Sequence, residues 1–278
     1  MEPSVTTSDI AQLQKLVAEF SSHGDDYVFT HLTSTDRLIN QPVQPIRISG
    51  MAWILVIKGS FQINLNLDPV AVEAGSVVIL MPDTIISERE VTPDIDAYLL
   101  MLSPEFMRTI NIDPNVMMTL PTATIHEYKP VLPLSAKEQE LMKSYFELIH
   151  HNTLSNPDGM YVKSIARNLM SAMIYQMVQF VVKHIKVLGL EPIVADRPRS
   201  RRSTYVKDFM LLLKKFHKQE RSVSFYAQQL YITTKYLSNI VKEATGRSAA
   251  QWIDEFVILE AKNLLRFSGK TIKQVSYE

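Results

Sequence analysis

The sequence predicts an α+β chain of two domains, a strand-rich part followed by a wholly helical one. Three observations predict it. From Tyr27 to about Thr124, apolar residues alternate with polar ones or run in short blocks between turn signals. From Leu134 onward the apolar spacing becomes that of helices. Charge divides as well: residues 1–192 carry 13 Lys and Arg against 21 Asp and Glu, a net of −8, and residues 193–278 carry 16 against 8, a net of +8. The chain has 278 residues, enough for about two domains. With 46% hydrophobic and 21% charged residues it is not a disordered chain.

Residues 9–23 read as a short amphipathic helix, with Ile10, Leu13, Leu16, Val17 and Phe20 on one face. Met51–Ile57 is a buried-strand run, and Lys58-Gly59-Ser60 a turn. Phe61, Ile63, Leu65 and Leu67 alternate with polar residues as in a half-buried strand, which Val70 and Val72 continue. Ala74-Gly75 turns, Val77–Met81 is apolar, Pro82-Asp83 turns again, and Tyr98–Leu102 is a further strand. Short strands at this spacing predict a sandwich or small barrel.

Ser135 followed by Glu138 is a capping box that opens a helix to about His151. Asn156-Pro157-Asp158-Gly159 breaks the chain, and a longer helix runs from about Met160 to Lys186. Its apolar residues, among them Ile165, Leu169, Met170, Met173, Ile174, Met177, Phe180 and Val181, wrap much of the circumference. Such a helix needs two partner surfaces, either within its own domain or on a second subunit. Residues 189–203 hold a Gly, two Pro and four Arg, which is linker composition with a basic run.

Several classes of chemistry are excluded or unsupported. Cysteine is absent, so disulfides and thiolate metal sites are excluded. No His-x-His pair occurs, and only His31 and His126 fall in or near the strand region, so no metal site is expected; His31 reads as a structural histidine inside the barrel. There is no nucleophile elbow, phosphate loop or singled-out carboxylate pair, so no catalytic residues and no cofactor are expected. The first ten residues lack a secretory signal, and the apolar stretch Ile165–Ile185 is too interrupted to span a bilayer. A soluble cytoplasmic protein without membrane contact is the expectation.

The basic end carries the most specific pattern. Val206, Phe209, Leu213 and Phe216 sit on one helical face. Ser224 is a cap for a short helix reaching Leu230, Tyr231-Ile232 is a tight connection, and Thr233 or Thr234 caps a second helix that Gly246 stops. Two helices crossing steeply need a small residue at their contact, and Ala227 supplies it; Tyr226, Leu230, Ile232, Leu237 and Ile240 fill the wedge. Tyr231 occupies a turn position that often holds Gly. The second helix is left with an outward face of Lys235, Ser238, Asn239 and Lys242, side chains able to reach base edges and phosphates in a major groove. Beyond Trp252 a long helix ends at Phe267-Ser268-Gly269, and TIKQVSYE restates the start of the motif, with Ser276 where Ala227 stood.

With Ala227, Leu230, Tyr236-Leu237, Val241-Lys242, Thr245-Gly246, Ile253 and the restart at Ile272, residues 204–278 resemble the DNA-binding domain of the AraC/XylS family of bacterial transcription regulators. The resemblance implies two helix-turn-helix units joined by a long helix. It divides the chain into a cupin-like sensor barrel with an N-terminal helix (1–133), a helical dimerisation segment (134–188), a linker (189–203) and the DNA-binding domain (204–278). The second unit is incomplete, about 20 residues short, so this chain reads as truncated, with DNA affinity reduced or lost. By position, Lys235, Ser238 and Asn239 match the base-reading face, and Thr233, Thr234, Tyr236, Lys242 and Arg247 match positions near phosphates. The implied partners are double-stranded DNA, a second copy of the chain and a small-molecule effector in the barrel. Trp53, Arg47 and Tyr98 are the candidate effector contacts, since they combine aromatic area or charge with polar tips in strand patterns. Two alternatives remain: a metal-free cupin-type binding protein or enzyme with a helical assembly tail, and a regulator whose barrel is filled by its own side chains.

Overall fold

The computed structural model describes residues 6–40, 45–112, 130–187 and 201–277. They fall into two compact units, one holding the described residues up to 112 together with 130–184 and the other those from 185 onward. The first is sheet-rich and the second helical, an α+β architecture. The expected strand pattern between 113 and 124, His126 and most of the expected linker lie outside the described residues.

The sheet-rich unit is built from two sheets. One has the order β1 (Thr6–Ser8), β4 (Ile46–Ile48), β9 (Ile85–Val91), β6 (Ser60–Leu65), β7 (Asp68–Glu73). The other runs β11 (Val131–Pro133), β8 (Ser76–Leu80), β5 (Met51–Lys58), β10 (Asp96–Leu102), β3 (Tyr27–Thr33), β2 (Phe20–His23). All neighbours are antiparallel except β1 and β4. The sheets face each other over one apolar interior, to which Val28, Leu32, Ala52, Val56, Leu80, Leu99 and Met101 contribute from one side and Ile48, Ile63, Leu65, Val70 and Val72 from the other.

The opposite face of the six-stranded sheet is covered by helices. In α4 (Ala136–Ser155) the buried residues Met142, Phe146, Ile149 and Thr153 recur at helical spacing. The Phe146 ring lies 6.3 Å from Phe29 and 6.1 Å from Tyr98, and the Thr153 hydroxyl is 2.8 Å from the Tyr27 hydroxyl. Phe106 of α3 (Pro104–Thr109) packs 5.3 Å from Tyr27. The capping box of α4 is present: the Ser135 backbone N–H donates to Glu138 at 2.8 Å. Helix α5 (Val162–Val187) buries Val162, Ala166, Met170, Met173, Ile174, Met177, Phe180 and Val181, while Ile165 and Tyr175 are exposed. No described helix is long and apolar enough to cross a membrane.

Two expectations need correction. The N-terminal helix does not reach residue 23: α1 (Ile10–Leu16), capped by Asp9, stops before Val17, and Phe20 opens strand β2 with its side chain 42% exposed. The buried Asp36 carboxylate explains the early stop, since it accepts the N–H groups of Ala18 (2.9 Å) and Thr33 (2.8 Å) and draws the chain away from the helix axis onto β3. Val70 and Val72 do not continue β6. Asn66 and Leu67 have φ of 51° and 78°, a two-residue hairpin turn that folds β7 back antiparallel, Leu65 opposite Asp68. Asparagine tolerates that conformation, and Asn66 Oδ1 also accepts the Ile85 N–H at 2.9 Å.

Candidate nucleic-acid interface and barrel cavity

In the helical unit, α6 (Arg201–Phe216), α7 (Val223–Gln229), α8 (Thr234–Thr245) and α9 (Ala249–Phe267) share a core of Phe209, Leu213, Tyr226, Ala227, Leu237, Ile240, Val241, Trp252 and Ile253. Ala227 is 1% exposed, as a helix crossing through its methyl requires. The Tyr226 hydroxyl donates to the Glu220 carbonyl at 2.7 Å, and burial, then the Glu220 charge, pushes its pKa up to about 12. The Trp252 indole N–H donates to the Thr245 hydroxyl at 2.9 Å, which itself donates to the Val241 carbonyl at 2.7 Å, tying α9 to α8.

The cap of α7 is Ser222, two residues before the expected Ser224, because Val223 and Ser224 are already helical; Ser222 accepts the Phe225 N–H at 3.3 Å. The helix ends with Ile232 N–H on the Ala227 carbonyl and Tyr231 N–H on the Gln228 carbonyl, both at 3.0 Å. That is a Schellman closure with Tyr231 where glycine usually stands. Tyr231 accordingly has φ of 55°, and it is 96% exposed. Thr233 caps α8 by accepting the Tyr236 N–H, and Gly246 ends it at φ 75°. The pair α7 and α8 is a helix-turn-helix.

On α8 the buried positions Leu237, Ile240, Val241 and Thr245 define the inner face. Lys235, Asn239 and Lys242 are exposed on the other, with Ser238 half-buried beside them, and Thr233 and Thr234 are exposed at the N-terminus. Tyr236 is half-buried with its ring edge-on to Tyr205 at 6.2 Å. Arg247 differs from the rest: it is half-buried, ion-paired with Glu255 and stacked 5.8 Å from the Trp252 ring. Arg202 pairs with Glu243 of α8 at 3.1 Å, so one exposed cation of the unit is already neutralised there. Thr271 caps α10 (Ile272–Tyr277), whose Val275 is buried while Ser276 is exposed.

Between the two sheets of the other unit lies an apolar cavity of about 100 Å³. Hydrocarbon side chains such as Leu32, Ile54, Phe61, Ile63, Leu99 and Met101 line it, together with Arg89. The three residues expected to contact an effector are not in its lining. Ile46 and Ile48 line it, and Arg47 between them alternates away. Ala52 and Ile54 line it, and Trp53, only 1% exposed, sits on the opposite face across from Leu100. Ala97 and Leu99 line it, while Tyr98 faces α4, its hydroxyl donating to Glu147 at 3.4 Å and its pKa raised by burial. His31 is likewise outside the interior: it is exposed, Nε2 2.7 Å from Asp96, beside the Tyr98 ring. Among the described residues no three His, Cys, Asp or Glu side chains are grouped as metal ligands. Arg89 is not singled out by the sequence, where it stands in the charged run Glu88-Arg89-Glu90.

No family model and no curated protein sequence matches the chain. Among solved structures, an apo variant of ToxT from Vibrio cholerae strain SCE256 aligns with 92% of this chain and 89% of its own, at 13% identity and a TM-score of 0.37. Wild-type ToxT of that strain with an unsaturated fatty acid bound covers 92% and 87%, at 15% identity and a TM-score of 0.36. The AraC-like transcriptional activator CuxR covers 90% and 82%, at 14% identity and a TM-score of 0.36. The chain is thus loosely similar, over most of its length, to ToxT and to an AraC-like activator.

Proposed function

We propose that the chain is a sequence-specific DNA-binding transcription regulator of the AraC/XylS type, dimeric and cytoplasmic, controlled by a small molecule bound in its barrel. One observation carries the reading: the helix-turn-helix around Ala227 holds Lys235, Ser238, Asn239 and Lys242 together on the solvent side of α8. Asn239 carries the amide that reads adenine through two hydrogen bonds, and Lys235 donates to guanine. Lys242, Thr233 and Thr234 stand where phosphates pass. The +8 balance of residues 193–278 favours a polyanionic partner through counterion release. Arg247 supports the unit by its bond to Glu255 rather than by a free guanidinium. For the dimer, the supporting feature is the exposure of Leu141 and Leu148 on α4 and of Ile165 and Tyr175 on α5. The effector acts by preferring one arrangement of the dimer over another. Among the described residues, no grouping of metal-ligating side chains favours reading the barrel as an enzyme.

The test is selection of duplexes from a random pool at low salt, followed by fluorescence anisotropy at two salt concentrations. Asn239→Ala is expected to weaken the selected site by ~1–3 kcal/mol and to relax the preference at one base position. Lys242→Ala is expected to weaken all duplexes alike and lower the salt slope by about one unit. An equal loss across all sequences for Asn239→Ala rejects the proposal.

A further inference from the structure

The cavity of about 100 Å³ between the two sheets is lined by hydrocarbon almost throughout, and two polar residues among those described, Ser8 and Arg89, meet it. Strand pairing aims each of them. Strands β6 and β9 pair with Ile63 opposite Arg89 and Asn64 opposite Ser87. Ile63 and Asn64 are adjacent, yet their partners are two apart, so position 88 is an extra residue in β9. In a regular strand, Ile86 facing inward would send position 88 inward and position 89 outward. The bulge resets the alternation and turns Arg89 to the interior. Ser8 is placed without any irregularity. It lies opposite Ile48 in the parallel pair of β1 and β4, and Ile48 lines the cavity, so the Ser8 side chain shares that face. Its carbonyl accepts the Ser49 N–H at 3.1 Å and the residue is buried, so what it offers the interior is its hydroxyl.

The two polar groups are not equivalent. Arg89 is engaged within its own chain: Nη2 lies 3.5 Å from the carbonyl of Ile39 in α2 (Arg37–Asn40), and both Leu38 and Ile39 of that helix line the cavity. An entering anion would have to draw the guanidinium off that carbonyl or stand uncompensated against hydrocarbon. Either way a buried polar group is left unpaired, which is costly. A neutral molecule meets neither penalty. The lining then asks for hydrocarbon and presents one hydroxyl, which can both donate and accept. Water is poorly served there, since a buried water makes about three hydrogen bonds. Size narrows the choice: a dry cavity of roughly 150 Å³ admits benzene, and this one is about 100 Å³.

We propose that the barrel binds a small neutral alcohol with a single hydroxyl, of about four or five non-hydrogen atoms by comparison with that benzene-sized cavity. The hydroxyl sits on Ser8 and the hydrocarbon part among the apolar side chains of the lining, and the corresponding carboxylate is rejected. This rests on reading the barrel as the effector site and names the effector's chemical class.

Methyl NMR of the full chain labelled at its methionines tests it without DNA, with Met101 in the cavity lining as the reporter. The probes are 1-butanol, 1-chlorobutane and propanoate, alike in size but carrying a hydroxyl, no hydrogen-bond donor and a charge. 1-Butanol is expected to shift the Met101 signal saturably and to bind about tenfold more tightly than propanoate. Ser8→Ala is expected to weaken 1-butanol by about tenfold and to leave 1-chlorobutane unchanged. Ala97→Val narrows the cavity while leaving Ser8 in place, and is expected to weaken both by about tenfold. Should Ser8→Ala fail to fold by circular dichroism, Ala97→Val and the comparison of 1-butanol with propanoate on the unaltered chain decide. No saturable shift with 1-butanol, equal affinity for 1-butanol and propanoate, a folded Ser8→Ala that does not set 1-butanol apart from 1-chlorobutane, or undiminished binding by Ala97→Val overturns the proposal. The regulator reading fails separately, when 1-butanol binds but Asn239→Ala weakens all duplexes alike; base-specific duplex binding without 1-butanol binding rejects the alcohol site alone.

Discussion

The two compact units place charge in opposite ways. In the helical unit, Lys235 and Lys242 stand outside a filled core, on a helix whose inner face is fully engaged. In the sheet-rich unit, Arg89 is turned toward an interior that its own side chains do not fill. The difference sets what each can recognise. Outward cations on a rigid helix act on an extended polyanion, and their contribution falls with salt. A guanidinium turned toward a largely hydrocarbon interior is screened by salt far less than a cation in water. A full core holds the outer face of α8 in a fixed arrangement, while the sheet-rich unit keeps a cavity of about 100 Å³ between its sheets.

The sharpest way to break this comparison is to add volume in both units. Ala227→Leu forces a larger side chain into the helix crossing and is expected to destabilise the helical unit by about 1–3 kcal/mol or more. Ala97→Val adds methyl groups into the cavity and is expected to cost under about 0.5 kcal/mol or to stabilise, since it fills a void. The two tryptophans, Trp53 and Trp252, lie one in each unit. Urea unfolding read by Trp252 fluorescence in a Trp53→Phe background, and by Trp53 in a Trp252→Phe background, assigns each loss to its unit. Equal costs at the two alanines would mean that the barrel interior is as filled as the helix crossing.

Acid separates the units by a smaller margin. The Glu138 carboxylate receives the Lys183 ammonium at 2.8 Å and the Ser135 hydroxyl and N–H, which together hold its pKa at about 2. The folded value is below the unfolded one, so the stabilisation is complete above the ordinary carboxylate range and is lost as pH falls from there toward 2. With Lys183 largely exposed, the gain is on the order of 0.5–1 kcal/mol. Glu138→Gln is expected to lower the stability of the sheet-rich unit above pH 5 and to flatten its dependence on pH below that. His150 adds to the trend: burial, then His151 and His31, hold its pKa down, so the folded unit resists protonation and loses stability as pH falls below the usual histidine range. A Trp53-detected unfolding series from pH 7 to pH 3 checks both, and an unaltered slope in Glu138→Gln removes that pair from the account.

How much of each unit is legible in the sequence follows from the same contrast. In α8 the period of 3.6 alone decides which side chains leave the core, so Lys235, Asn239 and Lys242 are found where their spacing puts them. In the barrel, alternation tells which residues share a face but not which face is the interior, because both faces of the six-stranded sheet are covered. Trp53 and Tyr98 look like cavity residues by composition, and both lie on the opposite face, Trp53 across from Leu100 and Tyr98 against Phe146 of α4. Arg89 is hidden further, since its direction depends on the extra residue at position 88, and a bulge leaves no mark in hydrophobic periodicity. The hairpin at Asn66-Leu67 is hidden for a related reason: Leu67 keeps the alternation going through a turn. Capping signals fared better, because the groups they satisfy lie within three residues, as at Ser135 with Glu138 and at Thr233 with Tyr236.

The smallest expected effect concerns the joint that orients the reading helix. Tyr231 is held at φ 55° by the two backbone bonds that close α7, and its side chain makes no core contact, being 96% exposed. A side chain in the left-handed region is strained, and glycine there is not. Against this, glycine adds freedom to the unfolded chain. The strain relief is the larger, so Tyr231→Gly is expected to stabilise the helical unit by roughly 0.5–1 kcal/mol, which raises its melting temperature by a few degrees. Because the bonds from Ile232 and Tyr231 fix the angle between α7 and α8 in both proteins, duplex selectivity stays as it was. Calorimetry showing a loss of stability would mean that the Tyr231 ring is held by a contact of its own, and the turn would then be a recognition element and not only a hinge between two helices.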